Sequence, residues 1–132
     1  MSLDELYAFA EEHGIKIHDF NFGALKSMSV PDNIGINYHN LSGTLEEKTL
    51  LFHEMGHCVT GCFYQGKSPL DLKTRHEFRA NKWSFMKQIP VDDLRQAVQK
   101  GYKETWELAE YFEADESVVI RAITYYRENG MI

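Results

Sequence analysis

The pattern of hydrophobic and polar positions changes twice along the chain. Residues 3–13 carry apolar side chains at helical spacing, and the preceding Ser2-x-x-Glu5 is typical of a helix N-terminus. In residues 15–41 apolar and polar positions alternate instead, on both sides of the turn-forming Pro31-Asp32-Asn33. From Thr44 onward the helical spacing returns. The pattern therefore predicts a helix over 3–13, two or three short antiparallel strands, and then helices.

The strands are predicted at Ile15–His18, Met28–Val30 and Ile34–Tyr38. A second helix is expected over about 45–64, because Thr44-x-x-Glu47 repeats the N-terminal pattern and Gly66 can end it. After a loop at 66–73, a third helix over about 75–88 ends before Pro90. Three more are expected: one that stops near Gly101, one over 104–112 and one over 116–128. This order fits a single α+β domain over residues 1–132, with a small antiparallel sheet of about three strands and a C-terminal helical bundle.

Composition and charge narrow the class of protein. The 132 residues are 43% hydrophobic and 26% charged, which is typical of a globular domain and excludes disordered and collagen-like chains. The net charge of −6 disfavours nucleic-acid binding, which needs clustered Lys and Arg. No apolar run approaches the roughly 18 residues of a membrane span. We expect a cytoplasmic protein with no membrane or direct nucleic-acid partner.

Two cysteines support a reducing compartment. Cys58 and Cys62 lie four residues apart in one predicted helix, whereas disulfide frameworks link distant segments. We therefore expect two free thiols. The acidic start of the chain does not resemble a signal peptide, which agrees with the cytoplasmic expectation.

The pentad His53-Glu54-Met55-Gly56-His57 carries the most specific chemistry in the sequence. Four helical residues turn the chain by about 400°, so His53 and His57 project from one face and can bind one zinc ion. Glu54 lies about 100° further round. It is poorly placed as a ligand but well placed to act as a general base on a water molecule beside the metal. Gly56 and Gly61 would let another element approach this helix closely.

A catalytic zinc ion needs a third protein ligand. The longer pattern H-E-x-x-H-x-x-G-x-x-H is not met, because Thr60 and Phe63 occupy its Gly and third His positions. Cys58 and Cys62 point away from His53 around the helix and fit better as small buried residues. Glu77 is the strongest candidate, since Ala80 and Ser84 would let its helix pack closely beside the pentad, with Phe78, Phe85 and Ile89 as anchors in the core. As a first-turn acid, Glu77 could instead complement the helix dipole. The other candidates are His76, Asp71, His39, His18 and His13, of which His13 and His18 are expected at the surface.

These residues together resemble the ImmA/IrrE family of metallopeptidases. The resemblance covers roughly residues 15–125 and combines His53-Glu54-x-x-His57 with Glu77-x-x-Ala80-Asn81 and Ile89-Pro90. Further similar segments are Ile36-Asn37, Glu47-Lys48-x-x-Leu51-x-His53, and Leu108-Ala109-Glu110-x-Phe112 followed by Val118 and Val119. The resemblance implies a zincin-like active-site helix and a gluzincin-type site, with one zinc ion on His53, His57 and Glu77 and with Glu54 as the base. It also implies a role in phages or mobile elements, where family members cleave or inactivate a helix-turn-helix repressor.

The function expected is therefore zinc-dependent hydrolysis of a peptide bond in a protein substrate. We also expect the 34–38 strand to be a sheet edge that aligns an extended substrate. His39, Tyr64 and His76 are candidates to stabilise the oxyanion. Two rival hypotheses stay open: a zinc-containing anti-repressor or sensor that binds the repressor without cutting it, and a zinc-free interaction domain.

Overall fold

A computed structural model describes residues 1–21, 23–63 and 70–132 of the chain. Within them the protein has the predicted α+β class, with six α-helices and a small three-stranded sheet. A short 3-10 helix at Tyr38–Asn40 follows the last strand. The elements are α1 Leu3–Glu12, β1 Lys16–Asp19, β2 Ser27–Val30, β3 Asn33–Ile36, α2 Thr44–Thr60, α3 Leu70–Gln88, α4 Val91–Gln99, α5 Thr105–Phe112 and α6 Glu116–Glu128.

The chain divides into two compact units, residues 1–84 and 85–132. The first contains α1, the sheet, α2 and most of α3. The second contains the end of α3 and the three C-terminal helices. That residues 1–132 form a single domain remains a prediction.

The sheet is mixed, which corrects the prediction of an antiparallel sheet. Its strand order is β1-β3-β2, so β3 lies in the centre. The turn at Pro31-Asp32 joins β2 to β3 and makes that pair antiparallel, with Met28 opposite Gly35. β1 pairs with the other side of β3 and is parallel to it, with Ile17 opposite Ile34. The alternation of side chains is the same for both kinds of pairing, so it could not distinguish them.

The core of the first unit lies between α1, the sheet and α2. Ile34 and Ile36 from the central strand meet Leu51, Phe52 and Met55 from α2, and all five side chains are fully buried. β2 has a different pattern, because its alternate residues Ser27 and Ser29 are half-buried while Met28 and Val30 are exposed. The face of β2 that meets α2 is therefore polar.

Several helix boundaries differ from the predictions. The N-cap residue of α2 is Gly43, which has no side chain to cap the helix. The Glu47 carboxylate accepts a hydrogen bond from the Tyr7 hydroxyl at 2.8 Å. α2 ends at Gly61, whose positive φ of 67° suits glycine, and not near Gly66. α3 begins at Leu70, so the end of the predicted loop at 66–73 is helical. Gly66 and the rest of 64–69 lie outside the described residues.

The second unit is the predicted group of C-terminal helices. Leu94, Ala97, Leu108 and Val119 from α4, α5 and α6 form its core, together with Tyr126. The Tyr126 hydroxyl is fully buried and donates a hydrogen bond to the Ile89 carbonyl at 2.7 Å. Across the part of the chain that the structure describes, helices with the length and apolarity needed to cross a membrane are absent.

Candidate metal centre

Two imidazole rings project from neighbouring turns of α2. The rings of His53 and His57 lie 4.9 Å apart between centroids and are nearly perpendicular. His57 is buried, whereas the His53 side chain is 28% exposed. The pentad therefore presents one ring to the protein interior and one to the solvent side of the same pocket.

Glu77 from α3 meets both rings. Its Oε2 lies 3.1 Å from His53 Nε2, and its Oε1 lies 3.0 Å from His57 Nε2. One ligand atom from each of the three residues lies within 4.8 Å of the other two. Glu77 is well inside α3, not in its first turn, so complementing the dipole at the helix N-terminus does not explain its position.

A close approach of α2 and α3 makes this convergence possible. A Cβ atom at Gly56 would lie 2.4 Å from the Ala80 carbonyl oxygen, which is shorter than side chains allow. Ala80 is fully buried at this contact and Ser84 is also buried. Small residues on both helices therefore permit the expected packing. Gly61 has a different role, because it ends α2 and its Cβ position faces open space.

The other nitrogen of each ring is held by an oxygen acceptor. His53 Nδ1 lies 2.8 Å from Asn81 Oδ1, and His57 Nδ1 lies 2.5 Å from the Cys62 carbonyl oxygen. A carbonyl oxygen can only accept, so these Nδ1 atoms carry the hydrogen. In the neutral rings the lone pair is then on Nε2, the atom that faces Glu77 in both cases.

This donor set could hold a metal ion. Two ligand atoms at 2.0–2.1 Å from a tetrahedral zinc ion lie about 3.3 Å apart, close to the observed Nε2–Oε separations. Oxygen acceptors on the second nitrogen of a ligating imidazole are the usual support for such a ring.

Glu54, which follows His53 on α2, is hydrogen-bonded to β2. It is 7% exposed, and both of its carboxylate oxygens accept hydrogen bonds from serine hydroxyls. Ser27 donates to Oε2 at 2.7 Å and Ser29 donates to Oε1 at 2.8 Å. The carboxylate therefore bridges the pentad helix and the neighbouring strand.

A cleft of about 880 Å³ opens over these residues. Glu54 lines it together with the three residues of the candidate metal centre. β2 forms a second wall, and Phe63, which follows α2, also contributes to the lining. The full lining is Ser27, Met28, Ser29, Val30, Pro31, His53, Glu54, His57, Phe63 and Glu77.

The edge strand at this cleft is β2, which corrects the prediction for residues 34–38. β3 pairs on both sides, with β1 and with β2, so it has no free edge for a substrate. Among the described residues β2 pairs with β3 alone, so its other side is an edge of the sheet, and β2 lines the cleft together with Glu54. Alternating residues look the same in a central strand and in an edge strand. The sequence pattern therefore could not show which strand is the edge.

The other candidate residues are not part of this group. His13 and His18 are exposed as expected, and His18 Nε2 is 3.0 Å from Asn33 Oδ1. His39 and His76 do not line the cleft. Tyr64 and the side chain of Asp71 lie outside the described residues. Phe78 is 53% exposed and so does not anchor α3 in the core, whereas Phe85 and Ile89 are buried in the second unit.

Both cysteines are free and lie outside the group that could hold the metal. Cys62 is buried and Cys58 is half-buried. Burial and, next, the Glu54 carboxylate raise the pKa of the Cys58 thiol to about 11, which disfavours the thiolate that a metal would bind. The contribution of Cys62 comes from its backbone carbonyl, which no side-chain pattern could have indicated.

Asn81, Ser27 and Ser29 were not assigned functional roles from the sequence. Asn81 lies one helical turn after Glu77, a spacing that puts both side chains on one face of α3. Ser27 and Ser29 are two apart in a strand, which puts both on one face of the sheet. The sequence shows these spacings, but it does not show which residues of α2 the three side chains contact.

Comparisons of the chain with protein-family models, with curated proteins and with solved structures find no match. What the structure defines is an α+β protein in which two histidines and a glutamate could bind a metal ion beside a buried glutamate.

Proposed function

We propose that this protein is a zinc-dependent endopeptidase of the gluzincin type. One observation carries the proposal: His53, His57 and Glu77 converge on one point while Glu54 lines the same cleft. A site built only to hold a metal would not need a buried carboxylate at its open side. Structural zinc sites are also usually closed and rich in cysteine, and here the cysteine side chains are not ligand candidates.

Zinc is the metal that this donor set suits best. Two imidazoles and one carboxylate are the ligands of many catalytic zinc ions, with a fourth position left open. Mg²⁺ and Ca²⁺ prefer sites made of oxygen atoms alone. The cleft beside the three residues provides room for a substrate at the open position.

Glu54 would act as the general base and acid. A zinc ion at this site would acidify water and polarise the scissile carbonyl group. Glu54 accepts a proton from the attacking water while the oxygen of that water bonds to the carbonyl carbon of the scissile peptide bond. It then delivers that proton to the amine nitrogen as the C–N bond breaks. The products are a new carboxylate and a free amine.

The free edge of β2 would align the substrate. An extended polypeptide can add to a sheet edge through backbone hydrogen bonds, which requires no particular sequence in the substrate. Since β2 and Glu54 line the same cleft, such a strand would pass directly over the site.

For the biological substrate we propose a helix-turn-helix repressor of a phage or mobile element. The support is the resemblance of the pentad, of Glu77-x-x-Ala80-Asn81 and of the flanking segments to the ImmA/IrrE family. The alternative, binding of the repressor without cleavage, needs the same surface but not Glu54.

A cleavage assay with matched variants separates these functions. Purified wild type, Glu54→Gln and Glu77→Gln would be incubated with the repressor encoded beside the gene, with zinc content measured for each. We expect cleavage fragments from wild type only. Zinc should stay bound to Glu54→Gln, and zinc binding should be weaker in Glu77→Gln. If wild type and Glu54→Gln relieve repression equally and no fragments form, the protein binds but does not cleave.

A further inference from the structure

We propose that Ser27 and Ser29 are positioning residues for Glu54, and this inference rests on the proposed peptidase function. Each serine hydroxyl donates to a different oxygen of the same carboxylate, at 2.7 and 2.8 Å. Two donors on two oxygens fix both the direction of the carboxylate and the rotation of its plane. A single hydrogen bond would fix only its direction.

The location of the pair makes the arrangement specific. Ser27 and Ser29 are on the face of β2 toward α2, where the neighbouring central strand carries the buried residues Ile34 and Ile36. Apolar side chains at 27 and 29 would continue that core. Instead, hydroxyls meet a carboxylate that is 7% exposed. A buried carboxylate without donors would be unfavourable, so the serines and Glu54 depend on each other.

The two serines occupy only part of the hydrogen-bonding capacity of the Glu54 carboxylate. An ionised carboxylate has about four lone-pair positions, and the two serines use one on each oxygen. The remaining positions can face the cleft.

The simpler alternative is that the serines only make a structural polar contact between β2 and α2. The two roles differ in what the serines affect. A merely structural contact affects stability through Glu54 but leaves the chemical step unchanged. A positioning role couples the serines to Glu54 and acts on the chemical step.

A double-mutant cycle on stability tests the coupling without any substrate. It compares wild type, the paired Ser27→Ala and Ser29→Ala substitutions, Glu54→Ala and the triple variant, all by urea unfolding in the same excess of zinc. With Glu54 present, loss of both hydroxyls should raise the unfolding equilibrium constant by about tenfold or more. With Glu54→Ala, the same loss should change it by less than about threefold. Equal effects in the two backgrounds would overturn the proposal.

Kinetics then test the effect on the reaction. The paired alanine variant should lose about tenfold to a hundredfold in kcat with KM little changed, while zinc content stays at the wild-type level. Threonine at both positions keeps the hydroxyls and should restore most of the kcat. Ser42→Ala, an exposed position away from the cleft, is the matched control. If alanine and threonine pairs are equally impaired, the hydroxyls are not responsible and the positioning role is wrong.

The two measurements also separate this inference from the function it rests on. A coupled cycle in a protein that cleaves nothing would mean that the serines hold Glu54 but that the peptidase proposal has failed. An active enzyme with an uncoupled cycle would retain the peptidase function and refute the positioning role.

Discussion

Gly56→Ala should weaken the metal centre through the contact between α2 and α3. The added methyl carbon would lie 2.4 Å from the Ala80 carbonyl oxygen, whereas ordinary contacts begin at 3.4 Å. The helices must therefore separate locally by about 1 Å, the difference between these two distances. A backbone oxygen cannot rotate away as a flexible side chain would.

The expected loss of stability follows from two opposing effects. Overpacking of this kind costs about 3 kcal/mol, at the upper end of its usual range, because backbone must move. Alanine in place of glycine in a helix recovers about 1 kcal/mol. The free energy of unfolding should thus fall by about 2 kcal/mol, which urea denaturation at constant zinc can measure.

Zinc binding should fall as well, because His53 and His57 are on α2 while Glu77 is on α3. A shift of about 1 Å exceeds the tolerance of roughly 0.2 Å in metal–ligand distances. We expect the affinity to drop on the order of tenfold to a hundredfold in competition with a chromogenic chelator.

Val59→Ala is the control for Gly56→Ala. It lies on the exposed side of the same helix and should change the free energy of unfolding by no more than about 0.5 kcal/mol. If Gly56→Ala unfolds at the same urea concentration as wild type and binds zinc equally well, the close approach of α2 and α3 is not present in the protein.

Three further results are expected. Asn81→Ala removes the acceptor on His53 Nδ1 and should lower zinc affinity by about tenfold to a hundredfold in chelator competition, while Asn81→Asp, which keeps an acceptor, should lose less. Cys58→Ser and Cys62→Ser should keep the wild-type zinc content by elemental analysis, because neither thiol is a ligand candidate; loss of zinc from either variant would contradict the site. Burial raises the pKa of Tyr126 from 10.0 to about 12, so its contribution to stability is present below pH 10 and is lost as pH rises through 12. In urea titrations Tyr126→Phe should be less stable than wild type by about 1 kcal/mol at pH 9, and this difference should shrink toward pH 12.

The helices were predictable because local sequence controls them. Spacing of apolar residues placed α1, α4, α5 and α6 close to their observed positions, since the 3.6-residue period is a property of the segment itself. The helix ends were less predictable. Glu47 has the right spacing for a helix cap, but it is hydrogen-bonded to Tyr7, a residue 40 positions away in the chain.

The shared face of His53 and His57 was also predictable from the sequence alone. His53 and His57 share a helix face wherever that helix lies, because four residues make little more than one turn. The choice of Glu77 among the third-ligand candidates drew on short-range signs, the small residues of α3 and the family resemblance. The structure brings that carboxylate to both rings, and it does so through the contact of Gly56 with the Ala80 backbone.

Only the tertiary structure decides the order of the strands in the sheet and the contacts between side chains that are far apart in the chain. Alternating residues predict a strand but not its neighbours, so they could not show that β3 is central or that β1 is parallel to it. The acceptors behind the histidines and the serines behind Glu54 come from segments separated by many residues in the chain. Local sequence determines which groups a helix or strand presents on each face. The long-range packing of α2, α3 and β2 determines which of those groups meet at the candidate metal centre.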